Sequence, residues 1–202
     1  MPARSDSARW GSVAKFFHWA TVLAILVQAT IGLVMINLPK RPGTIPVYSF
    51  HKSLGLTIFA FAALRLLWRA FDPHPQYPAT MPRWQMVGAR AGHALLYTLI
   101  FAVPLSGWLF DSATALRPLF WFGLFQVPSL TGGRDEAIKE FAEAAHFWLF
   151  WTLAAVATGH ASIALYHHLH DRDEILQRML PGRKAPGPRF RRDDEFVKEP
   201  IP

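Results

Sequence analysis

Three stretches of the chain carry no Asp, Glu, Lys or Arg: Phe16–Pro39, Ala91–Phe110 and Ala144–His170, of 24, 20 and 27 residues. A hydrocarbon core of ~30 Å is crossed by ~20 helical residues, so each is long enough to span a bilayer. A fourth apolar stretch, Tyr48–Trp68, is broken only by Lys52 and Arg65 near its two ends, where long charged side chains reach towards headgroups. The pattern predicts an all-α membrane protein, a four-helix antiparallel bundle with spans at about 16–37, 48–68, 91–110 and 144–168. A water-soluble chain of 202 residues would have to hide three such rods from solvent, which sets that reading aside.

The connections read as follows. Pro39, Pro42, Gly43 and Pro46 make a short loop after the first span, and Pro73, Pro75, Pro78 and Pro82 punctuate a polar link from Arg69 to Arg90. Pro104 predicts a kink in the third span. Between Asp111 and Glu143 the segment RPLFWFGLFQVPSL is too short to cross and reads as an aromatic interfacial stretch. Thr131-Gly132-Gly133 is a turn, and Asp135, Glu136, Glu140 and Glu143 place a helix N-terminus in water ahead of the fourth span. Residues 1–15 form a polar N-terminal arm without a cleavable signal core. Residues 171–202, charged and rich in proline, predict a largely disordered basic tail.

The net charge of +7 bears on partners only through its placement. With four spans both termini share a side, and that side holds fifteen Lys and Arg; the other holds six, Lys40, Arg41, Lys52, Arg117, Arg134 and Lys139. The positive-inside rule then puts both termini in the cytoplasm. The basic excess is a topology signal that meets anionic lipid, and nucleic acid is not expected. The chain has no cysteine, which excludes disulfides, iron–sulfur clusters, thiolate-ligated haem and covalent c-type haem.

The chemistry lies in the histidines. His146 and His160 are fourteen residues apart in the fourth span, a rise of ~21 Å that returns to within ~40° of the starting direction. The same step links His18 to Gly32, His51 to Arg65 and His93 to Gly107 in the other spans. Antiparallel packing then sorts the eight into two depths: His18, Arg65, His93 and His160 towards the cytoplasm, and Gly32, His51, Gly107 and His146 towards the opposite face. Ionisable residues at such depth are functional candidates. Two imidazoles and two glycines, where a flat group can approach the backbone, describe a slot for a planar macrocycle. At the inner level His160 pairs with His18 or His93, symmetry of role favouring His18, and Arg65 is a partner for a propionate.

Zinc wants three or four nearby protein ligands, and the two levels are too far apart to share one ion. Haem brings four ring nitrogens, so two histidines suffice. His93 reads as a helix–helix hydrogen-bonding residue, His167, His168 and His170 as interface residues, and His74 as a solvated loop residue. The glycines also suit simple close packing of helices.

The segments FFHW (16–19), FHKSLG (50–55), ALRLLWR (63–69), GARAGHALLY (88–97), PLSGW (104–108), AAHFW (144–148), TGHASIALYHH (158–168) and LQRMLP (176–181) resemble the prokaryotic cytochrome b561 family, di-haem four-helix proteins of bacterial inner membranes. The resemblance implies two non-covalent b-type haems with axial ligands at His18, His51, His146 and His160, paired His18/His160 and His51/His146. It also implies electron exchange with ubiquinone, and some members resemble superoxide oxidase, which passes electrons from periplasmic superoxide to the quinone.

Two histidines per iron leave no open coordination position, so outer-sphere electron transfer is expected, with no catalytic residue in the acid–base sense. The first reading is an oxidoreductase or electron carrier joining the quinone pool to a small anionic donor or a redox protein at the periplasmic face. Lys40, Arg41 and Lys52 would steer the anion, and His93, Arg65 and Arg69 are candidates for a quinone site in the cytoplasmic half. The second is a haem-b membrane anchor for a separate dehydrogenase or hydrogenase, with 111–143 as its docking segment. The third, from another class, is a haem-free transporter relaying protons through its histidines. Oligomeric state is not legible.

Overall fold

The computed structural model describes residues 2–39, 41–77, 81–171 and 174–181. Four long helices make up most of it: α1 Ser12–Met35, α2 Ile45–Phe71, α3 Arg83–Thr114 and α4 Glu136–Tyr166, which winds on through a wider π-type turn, His167–Asp171. All four are long and apolar enough to cross a membrane. Their outward faces carry exposed Leu23, Leu26, Leu64, Leu67, Trp148, Trp151 and Ile163. Such a surface is stable against lipid and would aggregate in water. The chain is thus a four-helix transmembrane bundle.

The helices run past the apolar stretches that announce them. Pro82 caps α3, so the polar turn from Arg83 to Arg90, expected in a link, is helical. The Asp135 carboxylate accepts the Ile138 N–H at 3.0 Å and starts α4 eight residues ahead of the apolar run, as the acids there suggest. Helix α3 is continuous through Pro104.

Close backbone packing joins α1 to α2, α2 to α3 and, most extensively, α3 to α4. Among the long helices α4 therefore leans on α3, and it meets α1 and α2 chiefly through side chains. The buried apolar cluster lies at that meeting: Ile58 and Ala62 of α2, Leu99 and Ile100 of α3 and Leu153 of α4, with Ile25 of α1 packed against it. Ile25, Ile58, Ile100 and Leu153 are each seven residues, about two turns, from both ends of the fourteen-residue step in their helix. The core is thus an aliphatic layer halfway between the two histidine levels. Leu153 is only 7 % exposed. Leu153→Ala is expected to cost about 2–5 kcal/mol, read as a lowered unfolding midpoint in detergent, and Leu105→Ala on the exposed face of α3 should cost far less.

The 111–143 connection contains a feature not foreseen, a hairpin of β1 Phe120–Trp121 and β2 Phe125–Gln126. Its three-residue loop, Phe122–Leu124, begins with Phe122 and Gly123 at φ of 45° and 76°, both left-handed, and is closed by the Leu124 N–H donating to the Trp121 carbonyl at 2.9 Å. Ser53 of α2 pins it: the Phe122 N–H donates to Ser53 Oγ at 2.9 Å, Ser53 Oγ donates to the Phe120 carbonyl at 3.2 Å, and Trp121 Nε1 donates to Thr57 Oγ1 at 3.0 Å. The aromatic segment is therefore fastened to the first turns of α2, with Phe122 edge-on to Phe50 at 5.7 Å. Its exposed Phe120, Leu124 and Phe125 suit a headgroup interface.

At the other end the termini interlock. The Asp72 carboxylate accepts from Ser5 N at 2.9 Å and from Ser5 Oγ, and Gly11 packs so tightly on the Ala3–Ser5 backbone that a Cβ would stand 2.4 Å from the Ala3 carbonyl oxygen. His74 is an exposed loop residue, as expected, and lies edge-on to Trp10 at 5.8 Å. The tail begins in order rather than disorder: α5, Ile175–Met179, is held by Trp19 Nε1 donating to the Met179 carbonyl at 2.9 Å and by Lys15 Nζ donating to the Leu180 carbonyl at 3.0 Å. The rest of the tail, 182–202, lies outside the described residues.

Candidate haem site

At the outer level, β-hairpin end, α2 and α4 bring His51 and His146 together with ring centroids 6.3 Å apart. The two glycines of this level make room for those rings. A Cβ on Gly107 would stand 3.0 Å from His146 Cε1 and 3.2 Å from Nδ1, and one on Gly32 would stand 3.3 Å from His51 Cε1. The glycines thus admit the imidazoles against the helix backbone, where the sequence suggested that they admit the macrocycle.

Two contacts settle the state of His146. Its Nδ1 is 2.9 Å from the Val103 carbonyl oxygen and 3.2 Å from Ser106 Oγ. A carbonyl only accepts, so Nδ1 carries the proton and Nε2 keeps its lone pair free. That is the tautomer a metal-ligating histidine needs, held by the kind of backbone bond that orients such ligands. His51 Nδ1 is buried with no hydrogen-bond partner among the described residues, an orphan that burial normally forbids. Metal–imidazole bonds of about 2 Å on either side of one iron place ring centres roughly 6 Å apart. His146 fits haem ligation on tautomer, and the pair fits it on separation and partial burial. Gln28 braces it, donating from Nε2 to the His51 carbonyl at 2.9 Å.

The inner level is arranged differently. Of the two neighbours the sequence offers His160, His18 and His93, it is His93 whose ring it faces, with centroids 5.3 Å apart. His18 lies within electrostatic reach of His160, His93 and Arg65, and Arg65 Nη2 stands 3.2 Å from His18 Nδ1. Arg65 and Arg69 both lie over the Tyr97 ring, at 5.4 and 5.8 Å from its centroid. Sequence reasoning found Arg65 but missed Tyr97, although GHALLY puts it one turn beyond His93 on the same face. It also missed Val103 and Ser106, whose signal was only their place beside Pro104 and Gly107. Among the described residues no group of three or more His, Cys, Asp or Glu is placed to hold a bare metal ion.

The outer cations fare unevenly. Lys52 is ion-paired with Asp111 of α3, which spends most of its charge within the protein. Arg41 is exposed, and Lys40 lies outside the described residues. His170 stacks on Tyr166 with centroids 4.9 Å apart.

The family model for prokaryotic cytochrome b561 matches residues 9–182. Cytochrome b561 homolog 2 of Escherichia coli K12 is 36% identical over 174 residues, covering 85% of this chain and 91% of the relative. Cytochrome b561 homolog 1 of the same organism is 26% identical over 181 residues, 87% of this chain and 99% of the relative. The probable superoxide oxidase CybB of Yersinia pestis is 26% identical over 171 residues, 83% and 93% of the two chains. With four helices fit to cross a membrane and a match along nearly its whole length, the chain belongs to the prokaryotic cytochrome b561 family of membrane electron-transfer proteins.

Proposed function

We propose that the chain carries electrons across the bilayer through two bis-histidine b-type haems, His51/His146 at the outer level and His18/His160 at the inner, and that it exchanges them with ubiquinone. The observation that carries this reading is His146, whose Nδ1–H is committed to the Val103 carbonyl while its ring faces His51 at 6.3 Å. When bound, haem iron supplies a one-electron couple. With haem bound, His51 with His146 and His18 with His160 would each hold one iron and leave no position open for oxygen. The aliphatic layer of Ile25, Ile58, Ile100 and Leu153 keeps water from joining the two levels. Cytoplasmic placement of the interlocked termini follows the fifteen-to-six bias in Lys and Arg.

The donor we propose is superoxide at the outer face, on the strength of the similarity to a probable superoxide oxidase. Two superoxide anions surrender one electron each and leave as oxygen, and one quinone takes both electrons with two protons. With Lys52 neutralised by Asp111, any steering of the anion falls to Arg41 and its neighbours. Liposomes holding the protein and ubiquinone, supplied with superoxide from outside, are expected to form quinol, and His51→Ala should abolish the reaction. Quinol formation no faster than in empty liposomes would reject superoxide as donor.

A further inference from the structure

Arg65 and His18 cannot keep their present contact once His18 ligates iron. A guanidinium only donates, so His18 Nδ1, 3.2 Å from Arg65 Nη2, is an acceptor and its proton sits on Nε2. Axial ligation needs the opposite tautomer, the one His146 already holds. With the proton moved to Nδ1, Arg65 faces another donor and must find a new acceptor.

Among the described residues Arg65 also meets the Tyr97 side chain, a phenol, but no carboxylate. Arg69 shares the Tyr97 ring with Arg65, and among the described residues neither guanidinium pairs with a carboxylate. Two like charges on one phenol at the edge of a low-dielectric core repel each other. An oxyanion between them relieves that repulsion, and the planar fork of arginine matches a carboxylate in two-pronged fashion.

We propose that Arg65 and Arg69, on the face of Tyr97, form an oxyanion site for a propionate carboxylate of the inner haem, and that Arg65 turns to it when His18 gives up its Nδ1 lone pair. This rests on the two-haem reading above. The shared chemistry, an anionic oxygen acid, would also describe a lipid phosphate, so the test separates the two.

Haem loss to an excess of an apo-haem acceptor is followed on the purified holoprotein. Arg65→Gln is expected to speed loss of the inner haem about ten- to a hundredfold, the worth of a charged hydrogen bond. Arg65→Lys should fall between, and the outer haem, the internal control for folding, should leave at the wild-type rate. Protein loaded in a haem-deficient host with the haem dimethyl ester should lose its inner haem as fast as Arg65→Gln, and combining the ester with the variant should add nothing. An unchanged rate in Arg65→Gln, or effects of ester and variant that multiply, overturns the proposal. Wild-type protein that behaves like Arg65→Gln only in nanodiscs lacking anionic lipid overturns the propionate and gives the site to a lipid phosphate. A wild-type chain with no inner haem at all sinks the two-haem reading instead.

Discussion

His146→Ala is expected to purify with one haem per chain where the parent has two, and His51→Ala should do the same. His160→Ala and His18→Ala should lose the other haem and keep the outer one. The effect is expected to be all-or-none because, on the proposed ligation, only two protein bonds would hold each iron and an alanine supplies no donor to replace one. The two levels are ~21 Å apart along α4 and separated by the Ile25–Ile58–Ile100–Leu153 layer, so loss at one need not propagate. Haem per chain by pyridine haemochromogen, with a redox titration to tell which haem remains, checks the four variants. His93→Ala is the control that matters most. His93 sits 5.3 Å from His160 by ring centroid, close enough to compete with His18 as its partner. Two haems retained in His93→Ala assign His18 to the inner iron, and one haem lost there reassigns it.

Gly107→Leu should also remove the outer haem, without touching a ligand. A single Cβ at this position already approaches His146 Cε1 to 3.0 Å, and a branched side chain has nowhere to go but into the ring. The ring must then leave the Val103 carbonyl, 2.9 Å from Nδ1, and both the tautomer and the aim of Nε2 go with it. The expected haem count falls from two towards one while the spectrum of the inner haem stays as it was. Gly107→Ala, which asks the ring to give by only a few tenths of an ångström, should keep both haems and shift the outer potential. Full loading of Gly107→Leu would show that His146 is not held by this helix. Had the glycine served the macrocycle alone, the ring-to-carbonyl bond would survive.

Much of the fold is readable because lipid is a strict solvent. A backbone without water must bond to itself, so long uncharged runs become helices whatever their local propensities. The ends are less readable, since they lie in water where lipid imposes nothing: α3 starts at Arg83 and α4 at Glu136, each eight residues before the charge-free run. Only caps such as Pro82 and Asp135 mark those ends, and caps are short signals. The hairpin was invisible because its corner puts Phe122 at φ 45°, a conformation that Phe does not advertise and that Ser53 stabilises from 69 residues away.

The site divides along the same line. Helical periodicity gives depth, which is why His51 and His146 could be paired on spacing alone and why the structure brings their rings together. Periodicity does not say which helix stands beside which. At the inner level, where three histidines share one depth, the order of the bundle decides, and it sets His93 rather than His18 against the His160 ring. Charge pairs across the bundle are equally hidden. Lys52 looks like a free cation at an outer mouth until Asp111, 59 residues on, is found beside it.

The central claim is that four histidines hold two irons, each closed on both faces. Low-temperature electron paramagnetic resonance of the oxidised, detergent-purified protein tests it most directly. Two low-spin ferric signals of equal weight are expected, one missing from His51→Ala and His146→Ala, the other from His18→Ala and His160→Ala. A single signal in the parent, or a high-spin ferric signal accounting for one of the irons, would contradict it.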